Sequence, residues 1–198
     1  MLISLLPMRK HRLFIGISIP NNIKEKLLKI QDKFSERKLP LRLTDLKNIH
    51  ITLNFLGYLT DREVVKIRHI LDEIIPTFSI FDVWLSSFRF FPDENHIRVV
   101  AMMIENNGSL EKLQRVLSSE FAKLKFVRIE KREYKPHLTI ARTKPPAIKT
   151  KEIEQIKNIK IESGKWKVKN IALIESILRR TGAQYTVLKK WDLKKENF

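Results

Sequence analysis

Two short runs place a histidine two residues before a threonine in β-forming surroundings: Ile49-His50-Ile51-Thr52-Leu53 and Pro136-His137-Leu138-Thr139-Ile140. Along an extended strand, residues i and i+2 point to one face and the residues between them to the other. His50 and Thr52 therefore share a face, as do His137 and Thr139. Ile51, Leu53, Leu138 and Ile140 supply the apolar backing that a core wants. With nine threonines in 198 residues, two such coincidences among five histidines arise by chance at roughly 2%.

The chemistry that suits this pair is phosphoryl transfer. A phosphodiester needs a base to activate the attacking oxygen and an acid to protonate the leaving one. Two imidazoles that titrate near neutrality hold both roles together. A hydroxyl beside each imidazole can donate to the phosphate oxygens. Arg142, five residues past His137, would add a charge-assisted fork. Ideal alternation points Arg142 away from His137, so it reaches the phosphate only if the strand bulges or ends first. Otherwise it is an exposed strand-end cation.

A zinc site is the competing reading of paired histidines. The chain has no cysteine and no His-Glu-x-x-His run, and two ligands do not close such a site. Neither a metal nor another cofactor is expected. His11 lies in a basic run, His69 in a helix and His96 in a turn, and all three stay outside the expected site.

The elements that must carry the two runs can be read from periodicity. Strands are expected over 12–19, 48–57, 78–91, 97–104 and 136–142, with a closing hairpin of 166–178 and 183–193 around Thr181-Gly182. Helices are expected over 23–37, 61–75, 110–124 and 150–159. The first has Ile23, Leu27, Leu28, Ile30 and Phe34 at helical spacing, and the second has Thr60-Asp61 as its cap and Pro76 as its stop. Strands and helices interleave with hairpins, which defines an α+β class with mainly antiparallel sheet. The order strand, helix, His-strand, helix in the first half loosely matches hairpin, helix, His-strand, helix in the second. The two histidines are 87 positions apart, which suggests two similar lobes facing each other.

The totals bound the setting. Thirty-nine Lys+Arg against 22 Asp+Glu give a net charge of +17, an excess that attracts polyanions, with nucleic acid foremost. With 43% hydrophobic and 31% charged residues the chain reads as globular, and its length fits one domain over 1–198 or two lobes sharing a core. No apolar stretch approaches the roughly 20 residues of a membrane helix, and the apolar start lacks a leading positive region. The absence of cysteine fits a cytoplasmic protein. Residues 1–7 read as a dispensable extension, reaching at most to residue 11, with Met8 as good a start as Met1.

At these residues the chain resembles the two-histidine phosphoesterase superfamily, and within it the RNA 2′,3′-cyclic phosphodiesterase family, historically called 2′-5′ RNA ligases. The segments that carry the resemblance are RLFIGISIP at 12–20, NIHITLNFLG at 48–57, FRFFPDENHIRVV at 88–100, KPHLTIAR at 135–142 and IALIESILRRTGAQYTVLKKWDL at 171–193. The resemblance implies a bilobal fold, with two antiparallel sheets lining a central cleft and helices outside. It implies metal-independent hydrolysis of a terminal RNA 2′,3′-cyclic phosphate to a 2′-phosphate. His50 would be the general acid and His137 the general base. Thr52, Thr139 and Arg142 map onto phosphate-binding positions, and Phe14 onto a residue that packs on the terminal nucleoside. The partner would be RNA with a cyclic phosphate end, with no membrane, and the protein a monomer. End-joining through a 2′-5′ linkage, or capture of RNA ends without turnover, are the alternatives. Family members often carry Trp where this chain has Ala101, so a base-stacking contact would be missing here. Arg98, Tyr134, Lys135 and Lys144 are candidates for contact with the RNA backbone.

Overall fold

The computed structural model describes residues 9–145, 147–179 and 182–195. The extension expected over 1–7, the alternative start at Met8, and Thr181 of the closing turn lie outside these residues. The elements run β1 (Lys10–Ser18), α1 (Asn21–Glu36), β2 (Leu41–Leu43), β3 (His50–Thr60), α2 (Asp61–Ile74), β4 (Phe81–Phe91), β5 (Val99–Asn106), α3 (Ser109–Ala122), β6 (His137–Thr143), α4 (Thr150–Lys157), β7 (Lys165–Val168), β8 (Asn170–Arg179) and β9 (Gly182–Asp192).

All named strands pair antiparallel. The order is β7-β4-β5-β6-β3-β1-β8-β9, with β2 against the far end of β6. The halves β7-β4-β5-β6 and β3-β1-β8-β9 meet at one residue pair, Ile51 with Leu138. The two expected sheets are thus joined into one curled sheet by a seam a single bridge wide. The strand expected over 166–178 divides at Lys169. β7 completes the edge beside β4, whereas β8 crosses to the other half and pairs with β1. Periodicity cannot register such a change of partner, because it reports which face a residue takes and not which strand lies beside it. The three-residue β2 was too short to be legible.

The helices pack on one face of the sheet. Ile23, Leu27, Ile30 and Phe34 of α1, Ile67 and Leu71 of α2, and Leu113, Leu117 and Phe121 of α3 share one core with Ile15, Ile17, Ile51, Leu53, Leu138 and Ile140 of the strands. Leu28 of the expected α1 stripe is exposed. The Thr60 cap forms as expected: Thr60 Oγ1 accepts from the Glu63 amide at 3.4 Å, and Glu63 Oε2 accepts from the Thr60 amide at 2.7 Å. Burying one Leu or Ile side chain stabilises by about 1.5–3 kcal/mol. A one-residue slip of β3 or β6 would expose such side chains and bury His and Thr instead, so the core fixes which face the histidines take. That opposite face carries a separate small cluster of Phe14, Ala172 and Ile174, with Tyr185 packed on it. No helix among the described residues is long and apolar enough to cross a membrane.

Candidate active site

The bridge between Ile51 and Leu138 sits inside both His-x-Thr runs. Continued one residue each way, this antiparallel pairing sets His50 opposite Thr139 and Thr52 opposite His137. Directly opposed residues have Cβ atoms about 5 Å apart and diagonal neighbours about 7–8 Å. The four polar side chains therefore form a compact square at the seam, with the imidazoles on its diagonal. Ile51 and Leu138 lie fully buried beneath it, while all four polar residues are half-buried.

Both imidazoles are held alike. His50 Nδ1 donates to the Asn48 carbonyl oxygen at 2.7 Å, and His137 Nδ1 donates to the Lys135 carbonyl oxygen at 2.7 Å. A carbonyl only accepts, so each Nδ1 carries the hydrogen, and each Nε2 is left to accept or donate a proton. Burial pushes both rings below their usual value of 6.5. Those two carbonyls partly oppose the shift, because they favour the charged ring. The proximity of His137 lowers His50 further, and the Arg142 guanidinium does the same to His137.

Arg142 reaches His137 because β6 bulges. Ala101 pairs with Thr139, but Val100 pairs with Ala141 and Val99 with Arg142, leaving Ile140 as an extra residue. Ile140 and Ala141 are consecutively buried, and Arg142 returns to the face of His137 and Thr139. The bulge is held from below. Gln31 of α1, itself buried, donates Nε2 to the carbonyl oxygens of Ile140 at 2.9 Å and Thr44 at 2.8 Å. The same irregularity occurs in β3: Gly16 pairs with Thr52, Ile15 with Asn54 and Phe14 with Phe55. Phe55 thereby joins the face of His50 and Thr52.

Aromatic rings flank both histidines. Phe14 stacks on His50, with ring centroids 4.6 Å apart at 28°. Tyr185 makes T-shaped contacts with both, at 5.1 Å from His50 and 5.2 Å from Phe14. Phe91 lies 4.9 Å from His137. Phe14 is only 3% exposed, so its ring serves first as the floor under His50. Ala101 is fully buried opposite Thr139 and presents no stacking surface.

The outer candidates divide. Arg98 is exposed beside Val99. Lys135 pairs with Glu133 at 3.2 Å, and Lys144 is exposed past the end of β6. Tyr134 instead packs against the core, its hydroxyl buried without a partner among the described residues and its acidity suppressed by that burial. His11 lies away from the square, between Glu175 at 2.8 Å and Asp61 at 3.0 Å. No group of three or more His, Cys, Asp or Glu among the described residues is placed to hold a metal ion.

Sequence reading missed Arg42, which stands directly opposite Arg142 on β2, and Phe91, Tyr185, Phe55 and Gln31. One signal was available: aligning HITLNF with HLTIAR on their histidines sets Phe55 against Arg142.

A curled antiparallel sheet that presents two His-x-Thr runs on one face is the architecture of the two-histidine phosphoesterases. The chain belongs to the 2′-5′ RNA ligase superfamily, whose family profile matches residues 26–179. An RNA 2′,3′-cyclic phosphodiesterase of Methanocaldococcus jannaschii is 34% identical over 181 residues, covering 91% of this chain and 99% of its own. One of Methanothermobacter thermautotrophicus is 29% identical over 178 residues, covering 89% and 96%. A crystal structure from Thermus thermophilus superposes with a TM-score of 0.78 at 27% identity, over 94% of this chain and 100% of that one. E. coli LigT complexed with 3′-AMP shares the fold, with a TM-score of 0.74 at 23% identity over 93% and 99%.

Proposed function

We propose that the protein opens RNA 2′,3′-cyclic phosphate ends to 2′-phosphates by acid–base catalysis between His50 and His137, without metal or cofactor. The observation that carries this reading is the matched pair of imidazoles, each with Nδ1 tied to a carbonyl and Nε2 left for proton transfer at one seam. His137 Nε2 takes a proton from water as its oxygen bonds to phosphorus. His50 Nε2–H gives a proton to O3′ as the P–O3′ bond breaks, leaving a 3′-hydroxyl and a 2′-phosphate.

The assignment of roles has physical support. The cation of Arg142 disfavours a proton on His137, as a base requires. His50 must enter protonated, and the bound phosphodiester anion favours that form. Thr52, Thr139 and Arg142 meet the charge that grows on the non-bridging oxygens. Phe14 packs against His50 and, being buried, offers the terminal nucleoside little surface. The protein acts as a cytoplasmic monomer on RNA ends.

Joining of ends through a 2′-5′ linkage would use the same site with an RNA 5′-hydroxyl in place of water as the attacking oxygen, the P–O3′ bond breaking as before, and the superfamily description keeps it in view. The test is incubation of a cyclic-ended oligonucleotide, and separately of cleaved tRNA halves, in EDTA. Release of a 2′-phosphate supports the proposal. A 3′-phosphate, dependence on added metal, or joined halves as the main product would each contradict it.

A further inference from the structure

The open aromatic surface of the cleft lies beyond Phe14. Phe55 is 62% exposed and Tyr58 61% exposed. Side chains so far out of a core contribute little to folding, yet β3 departs twice from regular pairing to place them. The bulge at Leu53 brings Phe55 to the face of His50. A second, at Leu56, does the same for Tyr58, past Gly57 at a φ of +79°. Glycine adopts that φ at no steric cost. Register then sets Phe55 opposite Phe14 and Tyr58 opposite Arg12. Arg12 Nη1 donates to Ser176 Oγ at 2.8 Å, its only side-chain bond among the described residues. A guanidinium has five such donors.

These residues form a row leading away from the histidines. His50 stacks on Phe14 at 4.6 Å, and Phe14 meets Phe55 at 6.2 Å. From Phe14 to Arg12 is about 7 Å of strand. We propose that this row is a subsite for the single-stranded RNA immediately 5′ of the terminal nucleotide. One base stacks on Phe55 and the next on Tyr58, and Arg12 takes the phosphate between them. The identity of the strand's 3′ end rests on the cyclic-phosphodiesterase reading. Aromatic rings interleaved with a cation suit such a strand whatever its sequence, because every base has a π face and every linkage a negative charge. The net charge of +17 draws the strand in.

The test measures binding and turnover in parallel. Fluorescence anisotropy of a 5′-labelled tetranucleotide ending in a 2′-phosphate reads the subsite without chemistry. The ratio of kcat/KM for a cyclic-ended tetranucleotide to that for a nucleoside 2′,3′-cyclic phosphate reads it in turnover. Phe55→Ala combined with Tyr58→Ala is expected to weaken tetranucleotide binding roughly tenfold or more and to lower the ratio by a similar factor. Tyr58→Ala alone, on the far side of Phe55 from His50, is expected to lower both as well, which separates loss of the subsite from disturbance of the floor under His50. Unchanged binding and an unchanged ratio would overturn the subsite. If wild-type protein hydrolyses neither substrate but the variants still lose tetranucleotide binding, the phosphodiesterase reading fails and the subsite stands.

Discussion

Phe55 of β3 and Arg142 of β6 hold the same position in two strands built alike. Each stands three residues past the threonine of a His-x-Thr run, and each is returned to the histidine face by one extra residue in the ladder, Leu53 or Ile140. The backbone repeat is therefore tighter than the sequence repeat. What differs is the side chain delivered: an aromatic beside His50, a cation beside His137. This asymmetry gives two imidazoles with identical hydrogen bonding different electrostatic surroundings.

The first prediction concerns pH. Both imidazoles are held below 6.5 in the free protein by burial. The acid must be protonated and the base neutral, so kcat/KM should already be falling as pH rises from 6.5 to 8. The phosphodiester anion raises both values in the complex, so the alkaline limb of kcat should lie at higher pH than that of kcat/KM. A kcat/KM that climbs to a plateau at pH 8 would contradict this. The same shifts act on stability. Between the folded-state values and 6.5 the unfolded chain binds more protons, so this contribution is complete above pH 6.5 and is lost as pH falls through the lower folded-state values.

Gln31 is expected to act on catalysis from beneath the sheet. Gln31→Leu removes a donor from the buried Ile140 carbonyl and the half-buried Thr44 carbonyl, at a cost of about 1–3 kcal/mol. Because the Ile140 carbonyl marks the bulge that aims Arg142, kcat/KM should fall with the melting temperature. A destabilised variant with wild-type kcat/KM would show that the Thr44 amide, 3.0 Å from the same carbonyl, suffices to hold the bulge.

Arg42 faces Arg142 across β2 and β6. Like charges directly opposite each other are unfavourable until an anion lies between them. Arg42→Gln should therefore raise the melting temperature slightly while raising KM several-fold, with the KM effect fading at high salt. A variant with unchanged KM would place Arg42 outside substrate binding.

How much was legible follows from which physics each feature uses. His50, Thr52, His137 and Thr139 were readable because a period of two and an apolar backing are local properties. The Thr60 cap and the α1 and α2 core faces were readable for the same reason. Arg142 was legible only as a conditional, since a bulge is a property of the pair of strands and not of either one. The division of 166–178 at Lys169 and the joining of two sheets at Ile51 and Leu138 depend on which strand is the neighbour, and alternation carries no such information. The burial of Phe14 under His50 and Tyr185 likewise depends on three strands at once.

Single-turnover hydrolysis of a cyclic-ended oligonucleotide by His50→Ala and His137→Ala decides whether the two imidazoles carry the reaction. Loss of a general acid or base typically costs about 10²–10⁴ in rate. Each variant is predicted to fall that far with substrate still bound, and the double variant to fall less than the product of the two losses, because the residues act as a unit. A rate within about tenfold of wild type for either single variant would contradict the acid–base pair.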